Sequence, residues 1–260
     1  MMVPHNTQSL FDIAGKVALI TGATGSLGSA VSRGMAGAGA RVMLTGRNPD
    51  TLSPLAAEIA DAGGAADFQA GQPDRPEDVR RVVEATRERL GGIDILVTTQ
   101  GMNSPKPIIE QPVEEWEAIV DSHLKATWLF CREAGRAMIS QGRGGKVILI
   151  GSQRGDLGMA NYSAYSPAKA AIHLLAKTLA WEWGPHGIRV NCIAPGLFRS
   201  ALTEWMWNNE EVYKRLLARI PIGRLGEPAD MVGAVIYLSS PASDFMTGAV
   251  IHVDGGYTAG

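Results

Sequence analysis

Short apolar runs alternate with helix-like segments along the whole chain. The runs are continuously apolar, which is typical of strands buried on both faces of a parallel sheet. The pattern predicts seven strands, at residues 16–21, 41–45, 66–70, 93–98, 146–150, 189–193 and 249–253. It predicts helices between them, at residues 27–38, 51–62, 76–90, 113–139, 164–183 and 231–238.

This order of elements predicts an α/β protein. Strand–helix alternation at this spacing implies βαβ units with right-handed crossovers. We expect one doubly wound parallel sheet, a Rossmann fold, with helices on both faces. The 260 residues contain no linker and no internal repeat. We therefore expect residues 1–14 to form an N-terminal tail and residues 15–260 to form a single domain.

Composition and charge argue against several classes of binding partner. The chain has 45% hydrophobic and 19% charged residues and a net charge of −2, which leaves no electrostatic footprint for nucleic acid or an anionic membrane. Its two cysteines, Cys131 and Cys192, have neither metal-type nor disulfide-framework spacing. Residues 1–10 lack the apolar core of a signal peptide, and no apolar run has the length of a membrane span. We expect a cytoplasmic protein with no metal, nucleic-acid or membrane partner.

Glycine and polar residues follow the ends of several predicted strands, as Gly22, Gly101, Ser152 and Pro195 do. Ligands of such sheets bind beyond the carboxyl ends of the strands, so these positions are expected to converge. Residues 21–28 read Thr-Gly-Ala-Thr-Gly-Ser-Leu-Gly, where glycines allow a tight turn and close approach of a pyrophosphate at a helix N-terminus. A plain tight turn is the alternative. We expect a dinucleotide here, held by Gly22, Thr24, Ser26, Leu27 and Gly28.

Tyr165 and Lys169 are four residues apart, so on a helix they share one face. A lysine ammonium beside a phenol favours the phenolate, and we expect the pKa of Tyr165 to be lowered from about 10. Tyr165 could then donate and accept a proton, with Ser152 hydrogen-bonding a substrate oxygen. The alternative is that the pair are surface neighbours only. Pro167 is tolerated near a helix start, which places Tyr165 in the first turn.

Together these motifs resemble the short-chain dehydrogenase/reductase family, in its single-domain tetrameric branch. The resemblance runs from about Gly15 to Gly256 and includes residues 191–196 and 253–256. It implies an oxidoreductase that transfers hydride between a nicotinamide dinucleotide and a secondary alcohol or ketone, with Tyr165 as general acid and base. It also implies that Lys169 binds the nicotinamide ribose, that the segment at about 200–220 is a substrate lid, and that the protein is a homotetramer. A subunit-contact helix is the alternative to the lid.

The resemblance implies further cofactor contacts, at Gly101, Pro195, Gly196, Phe198 and Ser200. NAD-preferring relatives carry an acidic residue at the end of the second strand. Here that position is Gly46, and Arg47 follows it. Because arginine can pair with a 2′-phosphate, we expect NADP(H) to be preferred, with NAD(H) as a second cofactor. The alternative is an ordinary loop arginine.

Four positions depart from the family pattern. Ser26 stands at the middle glycine of the turn, residues 98–101 read Thr-Thr-Gln-Gly, Gly71 replaces an aspartate, and His123 replaces a helical asparagine. His123 either joins the catalytic set as a proton relay or is wedged at a helix kink or subunit contact. These departures motivate a second hypothesis, a nucleotide-binding scaffold without chemistry, and a third, epimerase or dehalogenase action. The retained Ser152, Tyr165 and Lys169 favour the dehydrogenase.

The substrate side is predicted from position alone. We expect the substrate to contact Gln153, Arg154, Met159, Tyr162 and Trp205. Arg154 indicates either an acidic or polyhydroxy substrate or an exposed salt bridge, and Tyr162 either lines the pocket or packs beside it.

Overall fold

A computed structural model describes residues 7–200, 203–204 and 209–260. Within them, seven strands form one parallel sheet in the order β3-β2-β1-β4-β5-β6-β7. The strands are β1 Val17–Thr21, β2 Arg41–Thr45, β3 Ala65–Phe68, β4 Ile95–Thr98, β5 Gly145–Ile150, β6 Ile188–Pro195 and β7 Val250–Val253. The order reverses between β1 and β4, so the predicted doubly wound sheet is confirmed, with its ligand crevice expected at that switch point.

Helices cover both faces of the sheet. They are α1 Ser26–Gly37, α2 Pro49–Asp61, α3 Pro76–Leu90, α4 Val113–Val120, α5 Ala126–Gln141, α6 Tyr165–Trp183, α7 Glu210–Leu217 and α8 Val232–Ser239. Side chains of α1, α2 and α8 form one apolar core, and those of α3, α5 and α6 form the other. None of the helices in the described ranges combines the length and apolarity needed to cross a membrane.

Successive side chains of β1 point alternately into the two apolar cores, which explains why the strands are continuously apolar in sequence. Ala18 and Ile20 belong to the first core and Leu19 to the second. All three are fully buried. Both faces of the strand therefore exclude water, and each large side chain contributes about 1.5–3 kcal/mol on burial.

The long helix predicted at 113–139 is interrupted by a wide turn at Asp121–Lys125, between α4 and α5. There the backbone N–H of Ala126 donates to the carbonyl of Asp121, five residues earlier, which is the hydrogen bond of a π-turn. His123 lies inside this turn and is buried. The structure thus places His123 in an irregular turn within the helix, a position compatible with either interpretation of this residue.

Candidate active site

Two glycines shape the turn after β1. Gly22 has a φ of +61°, and a Cβ there would lie 2.7 Å from the backbone of Gln100. At Gly28 a Cβ would lie 2.2 Å from the carbonyl oxygen of Gly22. Neither position can hold a larger residue without moving backbone. The turn therefore brings the N-terminus of α1, which begins at Ser26, close to the end of β4.

A cleft opens over this turn, at the switch point of the sheet. Gly22, Thr24, Arg47 and Gly101 line it, together with Thr21, Gly25, Thr45, Gly46, Gly71, Gln72, Pro73, Asp74, Thr99, Gln100, Met102, Ala118, Ser122 and Phe130. Ser26, Leu27 and Gly28 form the first turn of α1 beside it. The cradle of glycine backbone fits a dinucleotide, because a helix N-terminus and close backbone approach are what a pyrophosphate requires.

Arg47 follows β2 and lines the cleft at the end next to that strand. Its side chain is exposed, and no hydrogen bond or ion pair of its guanidinium involves another residue of the described ranges. Gly46 leaves the space beside it open, since a Cβ there would meet only ordinary contacts, at 3.7 Å or more. Arg47 thus places an exposed guanidinium on the rim of the cleft.

The Thr-Thr-Gln departure after β4 has a structural role that the sequence did not reveal. The Thr99 hydroxyl donates to the Thr21 carbonyl at 2.6 Å. Gln100 hydrogen-bonds the Thr21 hydroxyl through its oxygen and donates to the Thr127 hydroxyl at 3.1 Å. These bonds tie β1, β4 and α5 together beneath the cleft. The departure from the family pattern was itself the signal that could have identified them.

Ser152, Tyr165 and Lys169 are brought together at the end of β5. The Ser152 side chain lies close enough to Tyr165 to lower the pKa of its phenol in part, and Ser152 Oγ accepts a hydrogen bond from the backbone N–H of Arg154 at 3.1 Å. Tyr165 is the first residue of α6, which confirms the position predicted from Pro167. Lys169 Nζ lies 5.7 Å from the centroid of the Tyr165 ring and donates to the Ile150 carbonyl at 2.8 Å.

The direction predicted for the Tyr165 pKa is wrong in this structure. Burial raises the pKa of the Tyr165 phenol above its usual value, while the neighbouring Ser152 side chain and the charge of Arg154 lower it in part. Burial also lowers the pKa of the Lys169 ammonium to about 8. The lysine lies against the ring face rather than at the phenol oxygen, and desolvation is the larger effect on both groups.

His123 stands against the same tyrosine. Its ring packs edge-on to that of Tyr165, with centroids 5.0 Å apart, and its Nε2–H donates to the Met102 carbonyl at 2.7 Å. Its Nδ1 is buried and has no hydrogen-bond partner among the described residues. Burial, and then the charge of Lys169, lower its pKa well below 6.5. The ring is therefore neutral, with an acceptor nitrogen available.

Residues after β6 form the neighbouring edge of the site, since β6 pairs with β5. Pro195 ends the strand, and a Cβ on Gly196 would lie 2.6 Å from the Cα of Asp254. Thr203 fixes the next residues: its hydroxyl donates to the Phe198 carbonyl at 2.6 Å and accepts from the backbone N–H of Ser200 at 3.0 Å. The predicted nicotinamide contacts thus lie in one short stretch of chain after β6, and Thr203 holds its Phe198 and Ser200 backbone.

The predicted substrate residues separate into different environments. Gln153 is fully buried, Met159 is 41% exposed, and Tyr162 packs edge-on to Tyr165 with centroids 5.8 Å apart. Arg154 is buried, at 8% exposure, so the exposed salt bridge considered for it is wrong. Trp205 lies outside the described residues.

Arg154 reaches a partner that the sequence did not single out. Its Nη2 donates to the hydroxyl of Tyr257 at 3.2 Å. Tyr257 is buried and packs with Ile220 and Leu225, and two α7 side chains, Tyr213 and Leu217, pack against this cluster. Two side chains of α7 thus pack against the cluster that contains Tyr257, the hydrogen-bond partner of Arg154.

A series of hydrogen-bonded polar side chains next to Ser152 was also not identified from the sequence. His173 Nε2 accepts a long hydrogen bond, 3.5 Å, from the Ser152 backbone N–H, and its Nδ1 donates to Asp156 at 3.2 Å. The other oxygen of Asp156 accepts from His252 Nε2 at 2.7 Å. The i, i+4 spacing from Lys169 was the available signal for His173. Across the residues that the structure describes, no group of three His, Cys, Asp or Glu side chains is placed to hold a metal ion.

Comparison with known proteins agrees with this geometry. A family model described as enoyl-(acyl carrier protein) reductase matches residues 22–258. An uncharacterized oxidoreductase of Mycobacterium tuberculosis is 48% identical over 264 residues, covering 99% of this chain and 96% of that protein. Gluconate 5-dehydrogenase of Gluconobacter oxydans is 34% identical, covering 96% and 97%.

Among solved structures, a gluconate 5-dehydrogenase from Burkholderia cenocepacia in complex with NADP and tartrate superposes with a TM-score of 0.95. It is 32% identical, over 98% of this chain and 100% of that one. The sheet order, the glycine turn and these matches along nearly the whole chain lead to one conclusion. The chain is an NAD(P)-dependent oxidoreductase and belongs to the short-chain dehydrogenase/reductase family.

Proposed function

We propose that this protein is an NADP(H)-linked carbonyl reductase or alcohol dehydrogenase in which Tyr165 transfers the proton. The observation that carries the proposal is that Ser152 and Lys169 both lie beside Tyr165. Lys169 is buried, with its Nζ 5.7 Å from the centroid of the Tyr165 ring, and Ser152 is close enough to lower the pKa of the phenol in part. A bound nicotinamide supplies or accepts the hydride at the reacting carbon. Gly22, Thr24, Ser26, Leu27, Gly28 and Gly101 would hold the dinucleotide, with Pro195, Gly196, Phe198 and Ser200 near its nicotinamide end.

The chain's own residues account for the proton. Ser152 orients the substrate oxygen, and Tyr165 donates its proton to that oxygen during reduction or removes it during oxidation. A raised phenol pKa keeps Tyr165 protonated near neutral pH. The site is thus best suited to proton donation, which is the direction of carbonyl reduction, and oxidation should require a higher pH.

Lys169 and His123 would support Tyr165. With a pKa of about 8, Lys169 is largely protonated near neutral pH and can exchange a proton within the range of cellular pH. The Nδ1 of His123 faces the same buried region without a partner among the described residues. We propose that it accepts a hydrogen bond there, in place of the asparagine that the family carries.

Replacing Tyr165 by phenylalanine tests the proposal. Tyr165→Phe should lower kcat for NADPH-dependent ketone reduction by about 10²–10⁴-fold, because it removes the only proposed proton donor. Tyr162→Phe is the matched control, since it removes a neighbouring phenol whose ring contacts Tyr165. Reduced-nicotinamide absorbance gives turnover, and fluorescence titration gives NADPH affinity. Retained turnover in Tyr165→Phe would remove this residue from the proposed role.

Arg47 is proposed to select NADP(H). Arg47→Ala should weaken NADPH binding by about tenfold or more and leave NADH binding nearly unchanged, because only NADPH carries the phosphate that the guanidinium can pair. Arg33→Ala changes the net charge equally, at a residue paired with Glu58, and serves as control. Equal weakening of both cofactors would exclude the role.

The oligomeric state, the role of α7 and the cellular compartment are proposed from exposed apolar side chains and from the two cysteines. Trp128 on α5 and Leu174 and Trp181 on α6 are exposed, by 46%, 63% and 87%, and large apolar groups on outer helices favour subunit contact. We propose a homotetramer, which a mass measurement at micromolar concentration would test, and a lid role for α7. Cys131 and Cys192 are buried free thiols, which fits the reducing cytoplasm.

A further inference from the structure

Arg154 is a buried cation whose charge no carboxylate of the chain compensates. It is 8% exposed, and within the described ranges no Asp or Glu lies at salt-bridge distance from it. The residues outside those ranges, 1–6, 201–202 and 205–208, include no Asp or Glu. Burying a charge without a counter-ion is costly, so an isolated guanidinium at this depth is the feature of the site that most needs explaining.

The position of Arg154 points to the reacting centre. It lies two residues after Ser152 and donates its backbone N–H to the Ser152 hydroxyl. Its charge lowers the pKa of both Tyr165 and Tyr162 in part. The guanidinium field therefore reaches the hydroxyl of Tyr165, which with Ser152 would contact the substrate oxygen.

The internal partners of Arg154 hold it without neutralising it. Its guanidinium carbon lies 5.5 Å from the centroid of the Tyr257 ring, and that of Arg219 lies 4.4 Å from the same centroid. The Tyr257 hydroxyl is a neutral acceptor. Two cations on one aromatic ring increase the positive potential here, and a guanidinium of fixed orientation is suited to bind a carboxylate by two parallel hydrogen bonds.

We propose that Arg154 binds the carboxylate of the substrate, so that the enzyme acts on hydroxy acids or keto acids rather than on neutral alcohols and ketones. The inference rests on the proposed function, because it places the acid next to the carbon that Tyr165 and Ser152 serve. The bound carboxylate supplies the counter-ion that the chain lacks. Tyr257 keeps the guanidinium oriented, and Arg219, which is exposed, contributes less.

Matched ligand pairs test the charge requirement directly. D-gluconate and D-glucitol differ at one group, which is a carboxylate in the acid and a hydroxymethyl in the polyol, and tartrate and threitol of the same configuration differ in this way at both ends. Calorimetric titration of the full chain saturated with NADP⁺ should give about tenfold or greater preference for the acid of each pair. Arg154→Gln should abolish that preference and change polyol affinity by less than about twofold, because it removes the charge and keeps a hydrogen-bonding group.

Two further variants separate charge from structure. Arg154→Lys should restore part of the acid preference, since it returns the charge without the bidentate geometry. Arg219→Gln should change acid affinity by less than about threefold, because exposed charges are screened. Equal binding of acid and polyol by the wild type, or unchanged acid binding in Arg154→Gln, would overturn the inference.

The two proposals fail in distinguishable ways. NADPH-dependent turnover of neutral ketones without acid preference would leave the proposed function intact and exclude the carboxylate site. Selective acid binding by Arg154 without turnover of any carbonyl compound would do the reverse.

Discussion

Two buried histidines contact the proposed catalytic groups, and they differ in how completely the chain satisfies them. His173 has a partner on each ring nitrogen, the Ser152 backbone N–H and Asp156. Among the residues that the structure describes, His123 has a partner on Nε2 only, the Met102 carbonyl. The first ring completes its hydrogen bonds inside the protein, and the second leaves an acceptor available beside Tyr165.

The difference indicates different roles. Because both of its nitrogens are occupied, His173 has one tautomer, with the proton on Nδ1. It can orient the loop that carries Ser152, but it cannot bind a substrate. A buried acceptor without a partner, as at His123, is costly unless something supplies a donor. We therefore expect His173 to act as a positioning residue and His123 to take part in binding or proton transfer.

The largest effect should come from crowding the His123 ring. A Cβ on Gly101 would lie 1.9 Å from His123 Cε1, at a φ of +156°. Gly101→Ala should reduce the free energy of unfolding in urea by about 3 kcal/mol. The double variant with His123→Ala should recover about half, because the ring is removed and the backbone strain remains. Gly233→Ala, where a Cβ meets no atom within 4 Å, is the control. Additive losses in the double variant would contradict the assigned contact.

Removing His173 should have a smaller effect on stability and a clear effect on rate. His173→Ala leaves the Ser152 N–H and the Asp156 carboxylate without the ring, at a cost of about 1–3 kcal/mol. We expect kcat to fall with little change in the KM for NADPH, because Ser152 is misplaced rather than removed. Added imidazole should restore part of kcat by occupying the space of the lost ring. Full activity without imidazole would exclude a positioning role.

The smallest effect concerns stability at acidic pH. Burial lowers the pKa of both histidines in the folded state, further for His123 than for His173. In the unfolded chain these two histidines bind protons near pH 6.5, whereas in the folded state they stay neutral to lower pH. Their contribution to the free energy of unfolding is therefore fully present above about pH 6.5 and is lost as the pH falls below it. Each histidine contributes at most about 1.4 kcal/mol per pH unit. His123→Asn should flatten the decline between about pH 6.5 and 5 more than His173→Asn does. Identical slopes in the wild type and His123→Asn would show that the His123 ring is not held neutral by the fold.

Much of the cofactor side could be predicted because local sequence determines it. Gly22 and Gly28 are required by backbone contacts within one turn, and Pro167 fixed the start of α6 at Tyr165. The strands were recognisable because both of their faces are buried. Such features depend on neighbours close in sequence, or on a pattern that every position of a strand repeats.

The substrate side could not be predicted in the same way, since its contacts join distant residues. Arg154 meets Tyr257, 103 positions away, and Asp156 meets His252, 96 positions away. The pKa of Tyr165 depends on burial, which is a property of the assembled fold, and the prediction from its spacing to Lys169 was therefore wrong in direction. The hydrophobic pattern of residues 113–141 did not indicate the wide turn that contains His123.

That wide turn constrains how this helix can change in length. Ala118 and Ser122, before and within the turn, line the cleft, while Thr127, just after it, receives the bond from Gln100. One residue corresponds to about 100° of rotation around a helix axis. Deleting a single residue between α4 and α5 would rotate Ala118 away from the cleft relative to Thr127. The middle of this helix should therefore tolerate substitutions far better than insertions or deletions.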